Sequence, residues 1–126
     1  NTPDCIEIDE NFLKDLRKKN ITAFNSLNKV KKKYDLIYSS NVLEHINDDL
    51  NVLYDMKSKL NDDGSIALYL PAFNILYSDL DRKVGHYRRY EKKDIKTILK
   101  DVNFAKLAIL TSRQRSMNFI LFKSTR

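Results

Sequence analysis

Three stretches of this chain carry apolar residues at the three- and four-residue spacing that is typical of one helix face. The first runs from about residue 10 to 19, the second follows Asp48 and Asp49, and the third covers residues 95–102. Their apolar positions are Phe12, Leu13 and Leu16; Leu50, Leu53, Tyr54 and Leu60; and Ile95, Ile98, Leu99 and Val102. We therefore expect three amphipathic helices, the last ended by Asn103 in the left-handed conformation.

Apolar runs between and after these helices predict strands at residues 5–9, 21–25, 34–40, 65–70, 105–111 and 117–124. The run at 34–40 has the continuous apolar centre of a parallel strand buried on both faces. Only a short polar segment separates the last two strands, which predicts an antiparallel hairpin, because a parallel pair needs a longer crossover. The order of elements predicts an α/β fold with a mostly parallel sheet and a C-terminal antiparallel hairpin.

Two connections in this pattern carry no clear periodicity. Residues 61–64 read as a turn by composition, with Gly64 at a position of positive φ. Residues 72–90 mix aromatic and charged side chains, so we expect a loop with at most one short helical turn. Long irregular connections in compact domains are often functional, and residues 76–90 are called the lid below.

The amino-acid composition limits the classes of protein to which the chain can belong. With 126 residues, 42% of them apolar, the chain fits a single domain over residues 1–126. It has no apolar run long enough for a membrane span and no signal-like leader, so we expect a cytoplasmic protein. The lone Cys5 forms no internal disulfide and lacks partners for a metal site, so it is expected to be a small strand residue. The net charge of +6 is attributed mainly to solvated helix faces, which makes a nucleic-acid partner the weaker alternative.

Three motifs occur in a fixed order along the chain. The predicted strand 34–40 is followed by Asn41-Val42-Leu43-Glu44-His45-Ile46, and later come Leu70-Pro71-Ala72-Phe73 and Gly85-His86-Tyr87-Arg88-Arg89-Tyr90. Together they resemble a bacterial subgroup of class I S-adenosylmethionine (SAM) dependent methyltransferases. The resemblance implies a Rossmann-like methyltransferase sheet, SAM as cofactor and methyl transfer to an unidentified small-molecule acceptor.

The resemblance also implies which residues contact the cofactor: Asp9, Asn25, Ser26, Ser40, Asn41 and Leu43. In the family, a carboxylate at the place of Asp9 accepts hydrogen bonds from both ribose hydroxyls, and Glu7 is the second choice. Asn25 and Ser26 stand where the adenine is held, but the match is loose and plain turn residues are the favoured alternative. Ser40 and Asn41 would line the methionine end of SAM, and Leu43 would wall the pocket.

On the acceptor side the resemblance points to His45 and to the lid. His45 is a candidate general base because its usual pKa lies near neutrality, with a structural cap on the following helix as the alternative. The expected substrate-binding residues are Tyr77, Asp81, His86, Tyr87, Arg88 and Arg89. The two arginines would clamp a carboxylate or phosphate of the acceptor. Alternatively, Asp79 or Asp81 pairs with an arginine and fixes the lid.

One family feature has no counterpart in these residues, namely the glycine-rich loop between the first strand and helix. We therefore expect a domain whose first strand and helix are missing, with unpaired strand edges that recruit another strand or a second copy. The 126-residue chain alone should bind SAM poorly. The alternative function is a non-catalytic binding or interaction module derived from such an enzyme.

Overall fold

The computed structural model describes residues 2–104 and the backbone of residues 106–111 and 117–123. Packing divides the chain into two compact units, residues 1–32 and residues 33–126. The single domain expected over residues 1–126 stays a prediction. None of the described helices is both long enough and apolar enough to cross a membrane.

The first unit is a small strand, helix, strand arrangement. Strands β1 (Cys5–Ile6) and β2 (Ala23–Phe24) are parallel, and helix α1 (Glu10–Lys18) connects them. The helix begins where predicted because the Asp9 carboxylate accepts hydrogen bonds from the first free backbone amides. Both strands are shorter than predicted. Leu13 is the buried residue of the helix and anchors its apolar face.

The second unit contains a four-stranded sheet in the order β3-β4-β6-β5. Its strands are β3 (Tyr34–Ser40), β4 (Leu60–Pro71), β5 (Lys106–Thr111) and β6 (Met117–Lys123), and its helices are α2 (Asp49–Ser58), α3 (Asp79–Lys83) and α4 (Lys92–Val102). The β3/β4 pair is parallel and the β4/β6 and β5/β6 pairs are antiparallel. The predicted α/β sheet with a C-terminal antiparallel pair is thus confirmed, while the connection at 112–116 lies outside the described residues.

The core of this unit lies along β4, where Ile66, Leu68 and Leu70 are almost fully buried. Helices α2 and α4 are joined by polar contacts at the end of α4. The Lys57 ammonium group donates to the carbonyls of Val102 (2.7 Å) and Asn103 (2.6 Å), which satisfies backbone acceptors left free by the helix. Asn103 has φ of 56°, so the predicted left-handed end of this helix is confirmed.

Strand β3 departs from its prediction. Leu36 and Tyr38 are 57% and 61% exposed, so the expectation of a strand buried on both faces is wrong for this part of the chain. Leu36 and Tyr38 are two residues apart and therefore lie on one face of β3, which is uncovered. Among the described strands β3 also pairs with β4 alone and stands at the edge of the sheet. Its outer edge and one apolar face are therefore open among residues 2–104.

Gly64 also departs from its prediction. Residues 61–64 form an irregularity inside β4, because Tyr34 pairs with Leu60 whereas Leu36 pairs with Ser65. The φ angle of Gly64 is outside the left-handed region, so the positive-φ prediction is wrong. A Cβ atom added there would lie 2.9 Å from the Tyr34 carbonyl oxygen. Glycine is required here by close packing between the two strands.

Candidate active site at the end of strand β3

The chain leaves β3 through a tight turn at Asn41. This residue has φ of 52°, a conformation that asparagine tolerates better than other residues with a Cβ atom. Its amide donates to the Tyr69 carbonyl (3.0 Å) on β4, and its side-chain nitrogen donates to the Ser40 hydroxyl (3.3 Å). The turn therefore stands at the carboxyl end of a parallel strand pair, where ligands bind in open α/β sheets.

A short 3₁₀ turn, Leu43–His45, follows, and its side chains differ in how deeply they are buried. Leu43 and Glu44 are completely buried, whereas His45 is exposed. The role of Leu43 as a pocket wall stays a prediction. His45 faces solvent and is available to a ligand.

Glu44 is an unusual buried acid. Neither of its carboxylate oxygens has a hydrogen-bond partner among the described residues. Burial raises the pKa of Glu44, and its own backbone amide, His45 and His86 only partly offset that effect. Such a group has a strong tendency to bind a proton or a cation.

The lid contains a short helix, α3, in the segment where at most one short helical turn was expected. Helix α3 begins at a capping box, in which the Ser78 side chain accepts from the Asp81 amide and the Asp81 carboxylate accepts from the Ser78 amide (2.9 Å). The Ser78 hydroxyl also lies 3.2 Å from that carboxylate. It ends in a Schellman motif, in which His86 N–H donates to the Asp81 carbonyl and Gly85 N–H to the Arg82 carbonyl. Gly85 has φ of 83°, the left-handed conformation that this motif requires.

Asp81 is the polar centre of the lid and is 1% exposed. Arg89 donates to both of its oxygens, from Nε to Oδ1 (2.9 Å) and from Nη2 to Oδ2 (3.0 Å). Burial by itself would raise the pKa of Asp81, but hydrogen bonds from Arg89, His86 and the Ser78 amide hold it well below its usual range. Asp81 is therefore an ionised carboxylate that accepts hydrogen bonds from three directions.

His86 is oriented by this carboxylate. Its Nδ1 lies 2.9 Å from Asp81 Oδ1, and because an ionised carboxylate only accepts, Nδ1 carries the hydrogen. Its Nε2 faces Glu44 Oε1 at 3.9 Å, and its ring meets the His45 ring edge-on with centroids 4.6 Å apart. Glu44, His45 and His86 each offer one ligand atom, and these atoms lie within 4.8 Å of one another.

The end of the lid is fastened to the turn after β3. The Tyr87 amide donates to the Glu44 carbonyl (2.7 Å), and Arg88 donates to the carbonyls of Ile46 (3.1 Å) and Asn47 (2.8 Å). The lid and the motif that follows β3 consequently form one structural assembly.

Both lid arginines are engaged with protein groups. Arg88 also pairs with Asp49 at 2.8 Å, and Arg89 pairs with Asp81, as the alternative reading of the lid expected. An open cavity of about 430 Å³ has both arginines in its wall. It is lined by Asp49, Asn74, Arg88, Arg89, Tyr90, Asp94, Thr97 and Ile98. The acceptor clamp stays a prediction, and it requires a guanidinium group to leave an internal partner.

The other predicted lid residues have structural contacts as well. The Tyr77 hydroxyl donates to the His86 carbonyl (2.7 Å), which holds the Schellman end of α3. Tyr87 is 57% exposed and its ring lies beside the Arg88 guanidinium group. Tyr87 is thus the predicted substrate-binding tyrosine that presents most surface to solvent.

Three predicted cofactor residues lie in the first unit. Asp9 Oδ1 caps α1 by accepting from the amides of Asn11 (2.8 Å) and Phe12 (3.1 Å). Ser26 caps a 3₁₀ turn, as its alternative reading expected, while Asn25 Oδ1 is buried without a partner among the described residues. Their contacts with a cofactor stay predictions.

Sequence reasoning assigned no role to Glu44 or Ser78. The Ser78-x-x-Asp81 spacing with glycine at position 85 was an available signal for a capped helix. Burial of Glu44 had no such signal, because an acid in a short turn between two apolar residues is exposed in most proteins.

Comparisons with known proteins agree with this architecture. The sequence profile of a family described as a methyltransferase domain matches residues 3–109, a range that runs across both units. No curated protein sequence matches the chain.

Solved structures of methyltransferases share the fold. A SAM-dependent methyltransferase of Thermotoga maritima aligns with 97% of this chain and 73% of its own at a TM-score of 0.75 and 11% identity. Magnesium protoporphyrin IX methyltransferase of Synechocystis with bound SAH aligns at 0.67 and 17% identity over 94% of this chain. OxaC, in complex with SAH and oxaline, aligns at 0.72 and 12% identity over 97% of this chain. The chain spans 61% of the Synechocystis enzyme and 35% of OxaC.

Proposed function

This chain belongs to the methyltransferase domain family, and from that membership we propose that the protein transfers the methyl group of SAM to a small-molecule acceptor. A nucleophilic atom of the acceptor attacks the methyl carbon as its bond to the sulfonium sulfur breaks. The electron pair of that bond stays on sulfur and leaves SAH, and the acceptor proton passes to a base or to water.

The observation that carries the proposal is the attachment of the lid to the turn after β3. Asn41 belongs to the predicted cofactor side and Tyr87 to the predicted acceptor side. The hydrogen bond from the Tyr87 amide to the Glu44 carbonyl joins the two sides three residues after Asn41. A methyl donor and its acceptor must meet within about 3 to 3.5 Å, so such joining favours a transfer site.

On the cofactor side, SAM would contact the Ser40–Asn41 turn, together with Asp9, Asn25, Ser26 and Leu43 as the sequence predicts. The left-handed conformation of Asn41 supports this role, because it turns the backbone at the strand end and leaves the side chain exposed. Relatives of the same fold that carry SAH support SAM as the cofactor.

On the acceptor side, His45 is the exposed imidazole next to the lid and would accept the proton of the acceptor. Tyr87 would provide the main contact surface, with Tyr77, Asp81, His86, Arg88 and Arg89 shaping the site around it. Alignment supplies much of the rate in such a reaction, because the sulfonium group already makes the methyl carbon electrophilic.

The cellular compartment and the oligomeric state of the protein are also proposals. The sequence favours a reaction in the cytoplasm. The open edge of β3, with exposed Leu36 and Tyr38, favours pairing with another strand or with a second copy of the chain.

Titration calorimetry with SAM tests the proposal on two chains, the 126-residue chain and the longest chain that its gene encodes. We expect weak or no binding by the shorter chain and clear binding by the longer one. In the longer chain, Asn41→Ala should reduce SAM affinity about tenfold, roughly the contribution of one hydrogen bond.

Asn103→Ala is the matched control, because Asn103 has nearly the same φ (56°) and suffers the same backbone strain without belonging to the turn. Its SAM affinity should stay unchanged. Absence of SAM binding by the longer chain would overturn the proposal in favour of a non-catalytic binding module.

A further inference from the structure

We propose that Glu44, His45 and His86 bind a divalent transition-metal ion. The three residues come from two segments, the 3₁₀ turn after β3 and the end of the lid. Their ligand atoms already lie within 4.8 Å of one another. Metal binding needs no SAM, so it can be measured separately from the proposed methyl transfer, with which it shares His45 and His86.

Glu44 is a fully buried acid. It is 0% exposed, and neither carboxylate oxygen has a hydrogen-bond partner in the described part of the chain. An ionised carboxylate in such surroundings is costly unless a cation or several donors compensate it. A metal ion between Glu44 and the two imidazoles would supply that compensation.

His86 has the orientation of a metal-binding histidine. Histidines that bind metals almost always donate their other ring N–H to a carboxylate or carbonyl. His86 does so, since its Nδ1 donates to Asp81 Oδ1 at 2.9 Å, which leaves the Nε2 lone pair directed to the side of Glu44. Asp81 is itself fixed by Arg89 and Ser78, so the ring orientation is held by two further contacts.

The remaining gap between the ligand atoms is small. Ligands about 2.1 Å from a common ion are ~3 to 4 Å apart, so separations of up to 4.8 Å must shrink by roughly 1 Å. The 3.9 Å between His86 Nε2 and Glu44 Oε1 is already in that range. His45 is exposed, and rotation of its side chain can close the rest.

The ligand set defines the kind of ion. Two imidazoles and one carboxylate suit zinc, manganese, iron, cobalt or nickel, whereas calcium and magnesium prefer sites made wholly of oxygen atoms. Three protein ligands leave further coordination positions of the ion open. Because His45 is exposed, these open positions would face solvent. A metal-bound imidazole cannot accept a proton at the same nitrogen, so this role competes with base catalysis by His45.

The competing explanation is a metal-free cluster in which protonated His86 pairs with Glu44. At 3.9 Å the two atoms are too far apart for a hydrogen bond, so that pairing leaves the carboxylate without a donor. Direct titration with metal ions separates the two explanations.

Co²⁺ is the probe, because its visible absorption reports nitrogen and oxygen ligands. We expect one Co²⁺ per chelator-treated chain, with an affinity that falls at least 100-fold in Glu44→Gln and in His86→Gln. Asp81→Asn should reduce affinity 10- to 100-fold through loss of imidazole orientation. Glu10→Gln, the same chemical change on exposed α1, is the matched control and should leave the affinity unchanged.

Two further measurements keep the result interpretable. With EDTA present, Glu44→Gln should melt at or above the temperature of the parent chain, so its loss of metal binding does not reflect unfolding. The chain has only two histidines, and the ring ¹⁵N signals of both should shift on addition of Zn²⁺. Unchanged Co²⁺ affinity in Glu44→Gln, or histidine signals that do not move at saturating Zn²⁺, would overturn the proposal.

Discussion

Arg89 and Asp81 form a two-point ion pair inside the lid, with donor to acceptor distances of 2.9 and 3.0 Å. The pair is nearly inaccessible to water, since the two side chains are 16% and 1% exposed. Asp81 also begins α3 through Ser78 and orients His86. One buried carboxylate thereby connects the local structure of the lid to the imidazole beside Glu44.

Asp81→Asn should lower the free energy of unfolding by about 3 to 5 kcal/mol, because it leaves the Arg89 guanidinium group buried without its counter-ion. Denaturant unfolding measures the loss. Asp79→Asn is the matched control on the same helix, since Asp79 pairs with Arg82 in an exposed ion pair and should cost less than about 1 kcal/mol. Equal losses in the two variants would contradict a central role for Asp81.

Acid should weaken folding through the same carboxylate. The pKa of Asp81 is low in the folded chain, whereas in the unfolded chain it is about 3.9. Its stabilisation is complete above pH 5 and is lost as the pH falls below about 4, because the unfolded state then binds the proton first. With EDTA present, the free energy of unfolding should therefore fall more steeply between pH 5 and 2 in the parent chain than in Asp81→Asn. Parallel curves would show that other carboxylates cause the loss.

Arg88→Gln should loosen the end of the lid. The substitution removes the donors to the carbonyls of Ile46 and Asn47 and the ion pair with Asp49. We expect the hydrogen-exchange rate of the Tyr87 amide, which donates to Glu44, to rise about tenfold, as local opening becomes easier by ~1.4 kcal/mol. Arg82→Gln, a change to an exposed arginine of α3, should leave that rate within about twofold. An unchanged Tyr87 rate in Arg88→Gln would mean that Arg88 does not hold the lid.

Replacement of either glycine by alanine should destabilise the fold, but for different reasons at the two positions. Gly85→Ala places a Cβ atom at φ of 83° and should cost about 1 to 2 kcal/mol, while Gly85→Asn should cost less because asparagine tolerates this conformation. Gly64→Ala brings a Cβ atom to 2.9 Å from the Tyr34 carbonyl oxygen and should cost about 1 to 3 kcal/mol. Gly64→Asn should be no more stable than Gly64→Ala, because the φ of residue 64 lies outside the left-handed region. Thermal and denaturant unfolding of the four variants checks this contrast.

Local patterns in the sequence predicted much of the scaffold. Strand β3 begins and ends at the predicted residues, Tyr34 and Ser40, because a continuous apolar run between polar segments is a strong local signal. The left-handed Asn103 was predicted from its place after an amphipathic helix, since helix ends follow short-range rules. The antiparallel pairing of β5 and β6 followed from the short segment between them.

Features that depend on distant contacts were not predictable in this way. The sequence indicated that Leu36 and Tyr38 are apolar, but their exposure depends on what packs against that face of β3. The sequence predicted glycine at position 64 for a positive φ, which is wrong. Glycine is needed there because strand pairing brings the Tyr34 carbonyl close to it.

The sequence by itself determined the family motifs, the order of the main helices and strands, and the residues at which β3 begins and ends. These depend on neighbours a few positions away, which the sequence displays directly. Only the tertiary structure decided that Glu44 is buried without a donor and that Asp81 turns His86 toward it. The approach of Glu44 to His86 joins groups some forty residues apart in the chain, and folding alone brings these groups together.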